Sequence, residues 1–409
     1  MISGSPRFQH KGNHSATYNV LKSVVAQGNH VTLIYPTKNY LKEIVNAKKI
    51  EQDTPPGLKV IPVDIQRSKL NHYYNNAIHL LLKLSSKPKI KQKIDQFSDY
   101  FNMNINLNYN FVREIRNTLM DETFDIVQVD YPTALKAIAI LQELQIPVVF
   151  INHEIQAIRM ERTFRPEDDG YLTALQRIKE VEGIFLSQYD SVITLTAVDS
   201  KILRELYAIN ALVSPHAVDT DFWKRRQVPF KNNRLVFSGG EGHFPNRDAV
   251  DWLCNCILPA LDRRLNDYQL YITGKWSEST IKQLSSSKII FTGYVDDIRS
   301  YLSGSISLAP LRIGSGMRVK ILEAMAMECI VVSTSIGCEG LGSSNGTHLF
   351  VEDDAEAFAD RVSKIYNNPD GFLNIGAAAR DFVVQNYSID VAGKRRLEVF
   401  EQILASSRN

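Results

Sequence analysis

Apolar residues gather along this chain in short runs spaced by longer amphipathic stretches. The first series is "VTLIYP" (31–36), "LKVIPV" (58–63), "DIVQVD" (125–130), "PVVFIN" (147–152) and "SVITLT" (191–196). A second comprises "RLVFSGG" (234–240), "YQLYITG" (268–274), "KIIFTGY" (288–294), "ISLAPL" (306–311), "CIVVSTS" (329–335) and "HLFVED" (348–353). Most runs are continuous rather than alternating, the pattern of strands covered on both faces. Helical patterns separate them, such as "SATYNVLKSVVAQG" (15–28), closed by Gly28, and "DAVDWLCNCILPALDRRL" (248–265). Strand and helix in alternation predict parallel α/β sheets. The two series meet near "DTDFWKRRQVPFKNN" (219–233), which predicts two doubly wound, Rossmann-like domains facing a cleft. The expected divisions are a first domain over 1–218, a hinge over 219–232, a second domain over 233–385, and a C-terminal helix (386–409) packing back toward the first. Such sheets bind ligands beyond the carboxyl ends of their strands.

One element is short. A doubly wound domain opens with a full strand before its first glycine-containing loop, whereas "MISGSPRFQHKGNHS" reaches that loop after two or three residues. The first strand is therefore expected to be cut short, with a misassigned start codon as the expected cause. The segment 77–97, "AIHLLLKLSSKPKIKQKIDQF", interrupts the first domain with an apolar start and five lysines. It reads either as a solvated helical excursion or as an amphipathic surface for anionic lipid.

Composition narrows the choices only slightly. With 409 residues the chain exceeds one ordinary core. Its 47 basic and 45 acidic residues leave a net charge of +2, which gives no reason to expect a nucleic-acid partner. The four cysteines (254, 256, 329, 338) read as small buried residues in a reducing compartment. No apolar run approaches the roughly 20 residues that span a bilayer, and no basic-then-apolar leader opens the chain. A cytoplasmic protein is expected, soluble or held at the inner face of the plasma membrane through 77–97.

The richest chemistry lies in 306–337. "ISLAPL" reads as a strand, "RIGSG" as the turn leaving it, and "SGMRVKILEAMAME" as a helix with Met317, Ile321, Ala324 and Met325 on its apolar side. Glycines let backbone amides approach an anion, and a helix N-terminus offers unpaired N–H groups with a positive dipole end. Arg318 and Lys320 add fixed charge. Glu323 follows Lys320 by three residues, so both project from one side of the helix. A carboxylate there suits a ribose diol, and diphosphate plus ribose describes a nucleotide. The bland alternative is a capped helix with a Lys320–Glu323 surface pair.

At this point the sequence resembles a known family. "PLRIGSGMRVKILEAMAMECIVVSTSIGCEGL" (310–341) looks like the donor-site block of retaining glycosyltransferase family 4, whose two-domain fold is GT-B. "VFSGGEGHFPNRDAV" (236–250) is similar to the loop opening that family's C-terminal domain. "FTGYVDDIRSYLSGSISLAPL" (291–311) resembles its base-binding turn and the helix after it. "VSPHAVDTDFW" (213–223) resembles the hinge, with His216 and Ala217 replacing Asn and Gly. "KGNHSATYNVL" (11–21) resembles the N-terminal glycine loop. The likeness spans most of the chain except about 64–120.

The resemblance implies transfer of a hexose-type sugar from a nucleotide-sugar donor to a polysaccharide or lipid-linked acceptor, with retention and without a metal cofactor. The donor then lies on the second domain and the acceptor on the first. Glu323 matches the second Glu of the family's Glu-x7-Glu motif and is expected on the donor ribose. The first Glu falls on Ser315, so the backbone of Gly314, Ser315, Gly316 and Met317 is expected to hold sugar and phosphate. Gly240 stands where the family has a diphosphate-binding Arg, which makes Arg247, Arg318 and Lys320 the candidates for compensating charge. Tyr294 is expected near the base and Gly12 in the N-terminal loop.

His153 ends a strand of the first domain at the proposed cleft. The family often has a His here, near the donor sugar, and the neighbouring Glu154 could accept an acceptor proton. Each also reads as an ordinary loop residue. No His/Cys cluster has metal-ligand spacing. An epimerase or phosphorylase on the same fold, or a non-catalytic nucleotide-sugar-binding subunit, stands as the alternative.

Overall fold

The computed structural model describes residues 2–3, 16–37, 40–64, 109–168 and 170–407. Gly12 and the 77–97 segment lie outside the described residues.

All eleven apolar runs contain strands. The first sheet has seven: β1 (Ile2–Ser3), β2 (Val31–Thr37), β3 (Leu58–Asp64), β4 (Val127–Asp130), β5 (Val148–Asn152), β6 (Ser191–Thr194) and β7 (Leu212–Val213). Their order is β3-β2-β1-β4-β5-β6-β7. The second sheet has six: β8 (Arg234–Ser238), β9 (Gln269–Thr273), β10 (Ile289–Gly293), β11 (Ile306–Ala309), β12 (Ile330–Ser333) and β13 (Phe350–Val351). Their order is β10-β9-β8-β11-β12-β13. Every named pairing is parallel. In both sheets the strand order reverses beside the first strand, so the adjacent crossovers leave in opposite directions and open a crevice at the carboxyl edge.

The continuous runs are apolar because both sheet faces are covered. Every residue of β4, β5, β11 and β12 is buried. One core gathers Phe111, Ile115, Phe150 and Met160 around the first sheet, and another gathers Phe237, Trp252, Leu253 and Phe358 around the second. The last helix, Ile389–Ser407, crosses back to the first domain. There Ala392 packs with Val20 and Val24 of the Ala16–Ala26 helix.

The short first strand is central to its sheet. Ile2 pairs with Ile34 on one side and Val129 on the other, and Ser3 pairs with Asp130. Toward the amino ends of β2 and β4, away from the cleft edge, lies a cavity of about 750 Å³ bordered by Val20, Val24, Val31, Ile126, Arg396 and Phe400. No helix among the described residues is long and apolar enough to cross a membrane.

Candidate active site

The glycine loop after β11 meets the first domain directly. Gly314 has φ 109° and Gly316 φ 77°, both in the left-handed region that favours glycine. A Cβ on Gly316 would lie 2.1 Å from the His153 carbonyl oxygen, so only glycine lets the two domains approach this closely. Ser315 Oγ accepts from the Ile155 N–H at 3.0 Å and donates to the Ile155 carbonyl at 3.2 Å. Arg162 Nη1 donates to the Gly314 carbonyl at 2.7 Å, and its guanidinium grips Glu339 bidentately at 2.7 and 2.8 Å. Met317 packs against apolar residues of both domains.

Arg162 is aimed by the first domain's own helices. The Gln156–Thr163 helix starts where the Gln156 and Ala157 N–H groups donate to Glu182, a buried carboxyl on the Tyr171–Leu186 helix. Burial pushes Glu182 up to about 7 against those bonds. Its N-terminal anchor sets the helix direction and carries Arg162 to the glycine loop.

Downstream of the loop, Arg318 precedes the Val319–Ala326 helix. It is buried and donates through Nη1 to the Gly316 carbonyl, while Nη2 has no partner among the described residues. Burial lowers its pKa, and Glu339, Glu154 and Asp199 offset part of that effect. Lys320 Nζ reaches the carboxyl end of β8, donating to the Ser238 carbonyl at 3.0 Å and Asn246 Oδ1 at 2.8 Å. Asn246 itself bridges to the Gly240 carbonyl at 2.9 Å, so one lysine ties the loops after β8 and β11 together. Burial pulls Lys320 down to about 7, with Arg318 adding repulsion. Burial pushes Glu323 up to about 7, partly offset by Lys320, and its carboxyl has no hydrogen-bond partner among the described residues. A half-buried carboxyl held open beside a half-buried ammonium is a ligand-ready pair.

The other anticipated residues are placed differently from one another. Arg247, proposed for compensating charge, is turned toward Glu241 at 3.1 Å and Asp251 at 3.9 Å on an exposed face, so its charge is already answered. Tyr294 is 48% exposed in the loop after β10. Glu154 pairs with Arg159 at 3.2 Å.

His153 is embedded in polar neighbours that sequence reading did not select. Its Nε2 lies 3.0 Å from Asp130 Oδ1 and its Nδ1 lies 3.2 Å from His216 Nε2. Tyr131 stacks on the ring with centroids 4.0 Å apart and planes 6° apart. Asp130 ends a strand run, the same signal that picked out His153, and could have been found that way. His216 carried no such signal beyond its departure from the hinge pattern, and Arg162 and Glu339 carried none.

Comparison with known proteins places this geometry. Residues 232–368 match the family described as glycosyl transferases group 1. An "Uncharacterized 44.6 kDa protein in cps region" of Klebsiella pneumoniae is 27% identical over 175 residues. That match covers 40% of this chain and 45% of the Klebsiella protein, so it spans less than half of that relative. Anabaena HepE, solved with UDP and glucose, superposes with TM-score 0.68 at 11% identity over 98% of this chain and 99% of that one. Sucrose-phosphate synthase from Thermosynechococcus elongatus gives TM-score 0.70 at 14% identity over 99% of each chain. The fold is GT-B, and the match to the glycosyl transferases group 1 lies within its second sheet and the helices around it.

Proposed function

We propose that the protein transfers a sugar from a nucleoside-diphosphate donor to a glycan or lipid-linked acceptor in cell-surface polysaccharide synthesis, with retention at the anomeric carbon. The observation that carries this reading is the Lys320–Glu323 pair. An open carboxyl and a half-buried ammonium sit on one helix, directly after a glycine loop at the carboxyl edge of β11. Glu323 binds the ribose hydroxyls. Lys320 and Arg318, with the loop amides, face the diphosphate.

Cleaving a sugar–phosphate bond leaves positive charge on the sugar and negative charge on the leaving diphosphate. Fixed cations and N–H groups aimed at that diphosphate stabilise the transition state more than the ground state. The contacts of Gly314, Ser315 and Gly316 with the first domain support a closed cleft that excludes water, so a hydroxyl competes with hydrolysis. In the retaining reading, the leaving phosphate takes the acceptor proton. The UDP bound by Anabaena HepE makes uridine sugars the first donors to try, and the cps-region relative supports a surface glycan as acceptor.

Calorimetric titration of the full chain with UDP tests the site. A charge-assisted contact contributes about 1.5–3 kcal/mol, so Lys320→Met and Glu323→Gln should each weaken binding by roughly 10- to 100-fold. Unchanged affinity in both variants ends the assignment.

A further inference from the structure

A continuous polar chain runs from the last helix to the cleft. Arg396, buried on Ile389–Ser407, donates from Nε to Ser214 Oγ at 2.8 Å and from Nη2 to the Ser214 carbonyl at 3.2 Å. Its Nη1 donates to Gln128 Oε1 at 3.3 Å. Gln128 Nε2 donates to Asp130 Oδ2 at 2.8 Å, and Asp130 Oδ1 faces His153 Nε2. His153 Nδ1 faces His216 Nε2, and His216 Nδ1 is buried with no partner among the described residues. The chain joins β4, the end of β5, the approach to the hinge and the C-terminal helix.

Donor and acceptor inventories decide where the protons lie. An ionised carboxylate only accepts, so His153 Nε2 carries a hydrogen toward Asp130. Burial, with the nearby Arg396 charge adding repulsion, holds His216 neutral. In the neutral His153 ring with its hydrogen on Nε2, Nδ1 only accepts, so His216 Nε2–H donates to it and the His216 Nδ1 is left bare. We propose that Asp130 and His216, braced by Arg396 through Gln128, are positioning residues that fix the Nε2–H tautomer and ring plane of His153 beside the glycine loop. The His153 carbonyl lies where a Cβ on Gly316 would be, so whatever fixes this residue also fixes the wall against which that loop closes.

Two costs accumulate at this one place. A buried polar network gains little over an apolar core, and a bare buried nitrogen is unfavourable. Tyr131, stacked on His153, has φ 69° and ψ 143°, a region close to glycine-only, which costs about 1–3 kcal/mol. Strain and desolvated polarity persist together where the arrangement serves a site.

The role in catalysis rests on the glycosyl-transfer reading, whereas the tautomer does not. The test uses the full chain labelled with ¹⁵N-histidine, and long-range ¹H–¹⁵N spectra at pH 8 distinguish the two neutral tautomers. His153 is assigned by its loss in His153→Gln, and variants are read when they keep the wild-type circular dichroism. Wild-type His153 should appear as Nε2–H. Asp130→Asn, whose amide donates as well as accepts, should give a tautomer mixture. His216→Phe should shift Nδ1 toward an unbonded acceptor, and His216→Gln, which still donates, should restore it. An unchanged His153 signature in both Asp130→Asn and His216→Phe overturns the positioning role. With a UDP-sugar that turns over, Asp130→Asn should lower kcat about tenfold or more at unchanged KM. A change confined to KM contradicts the catalytic part of the proposal. A wild-type chain that transfers no sugar sinks the glycosyl-transfer reading, while the spectra still decide the positioning.

Discussion

Gly316→Ala separates the interdomain contact from ordinary glycine strain when set beside Gly346→Ala. The two glycines have nearly the same backbone, φ 77° and 76°. An added methyl at Gly346 meets nothing within 4 Å, whereas at Gly316 it lies 2.1 Å from the His153 carbonyl oxygen. An L-residue in this conformation costs about 1–2 kcal/mol, which both variants bear. At Gly316 the loop must also move back by more than 1 Å to reach ordinary contact, because real Cβ contacts begin near 3.4 Å. The paired bonds between Ser315 and Ile155, at 3.0 and 3.2 Å, sit one residue away and should be lost, at about 1 kcal/mol each. Gly316→Ala should therefore cost about 3–4 kcal/mol against 1–2 for Gly346→Ala. Urea unfolding followed by fluorescence of Trp223, Trp252 and Trp276, all on the second-domain side of the chain, reads the difference. Equal shifts in the two variants would refute the contact between the loop and the first domain.

Proton linkage tests the Lys320–Glu323 pair. Both groups titrate near 7 in the free protein, so above 7 the lysine is largely neutral and below 7 the carboxyl is largely protonated. A diphosphate favours Lys320 charged and a ribose diol favours Glu323 ionised. UDP binding should thus take up protons at pH 8 and release them at pH 6, as seen by calorimetry in buffers of different ionisation enthalpy. Lys320→Met should abolish the uptake, and uptake that persists in this variant contradicts the assignment. Arg162→Ala removes the bidentate pair with Glu339 and the bond to Gly314, so the domains should open. Small-angle scattering should show a larger radius of gyration, and an unchanged value argues against a latch. Arg396→Leu strands Gln128 and Ser214, so about 2–3 kcal/mol of stability should be lost, with faster proteolysis near the last helix. Wild-type proteolysis and stability would show that this buried guanidinium holds nothing.

Much of the architecture was legible because strand burial is written locally. Runs such as "VVFI" and "IVV" are apolar at every position, and that follows from parallel strands with helices on both faces. The loop chemistry after β11 was legible for a similar reason: glycines, cations and a carboxyl within ten residues of one another share a turn and a helix face. Two strands were less legible. Only two residues each form β1 and β7, too few for a periodic pattern, and they were placed by pairing with longer neighbours.

The sequence by itself thus determined two doubly wound sheets and a nucleotide-like loop on the second, because strand periodicity and helix-face spacing act over a few residues. Only the tertiary structure decided what those loops touch. Parallel pairing sets Asp130 beside Ile151, two residues short of His153, and the returning chain brings in His216 and Arg396 from 63 and 268 residues away in the bonds they make. It also decided that Ser315, which stands where the resembled family has an acid, bonds the opposite domain, and that Lys320 and Glu323 lose enough water to meet near pH 7. Contacts across such separations depend on register and closure, and desolvation depends on everything packed around a group. Neither quantity is carried by local pattern.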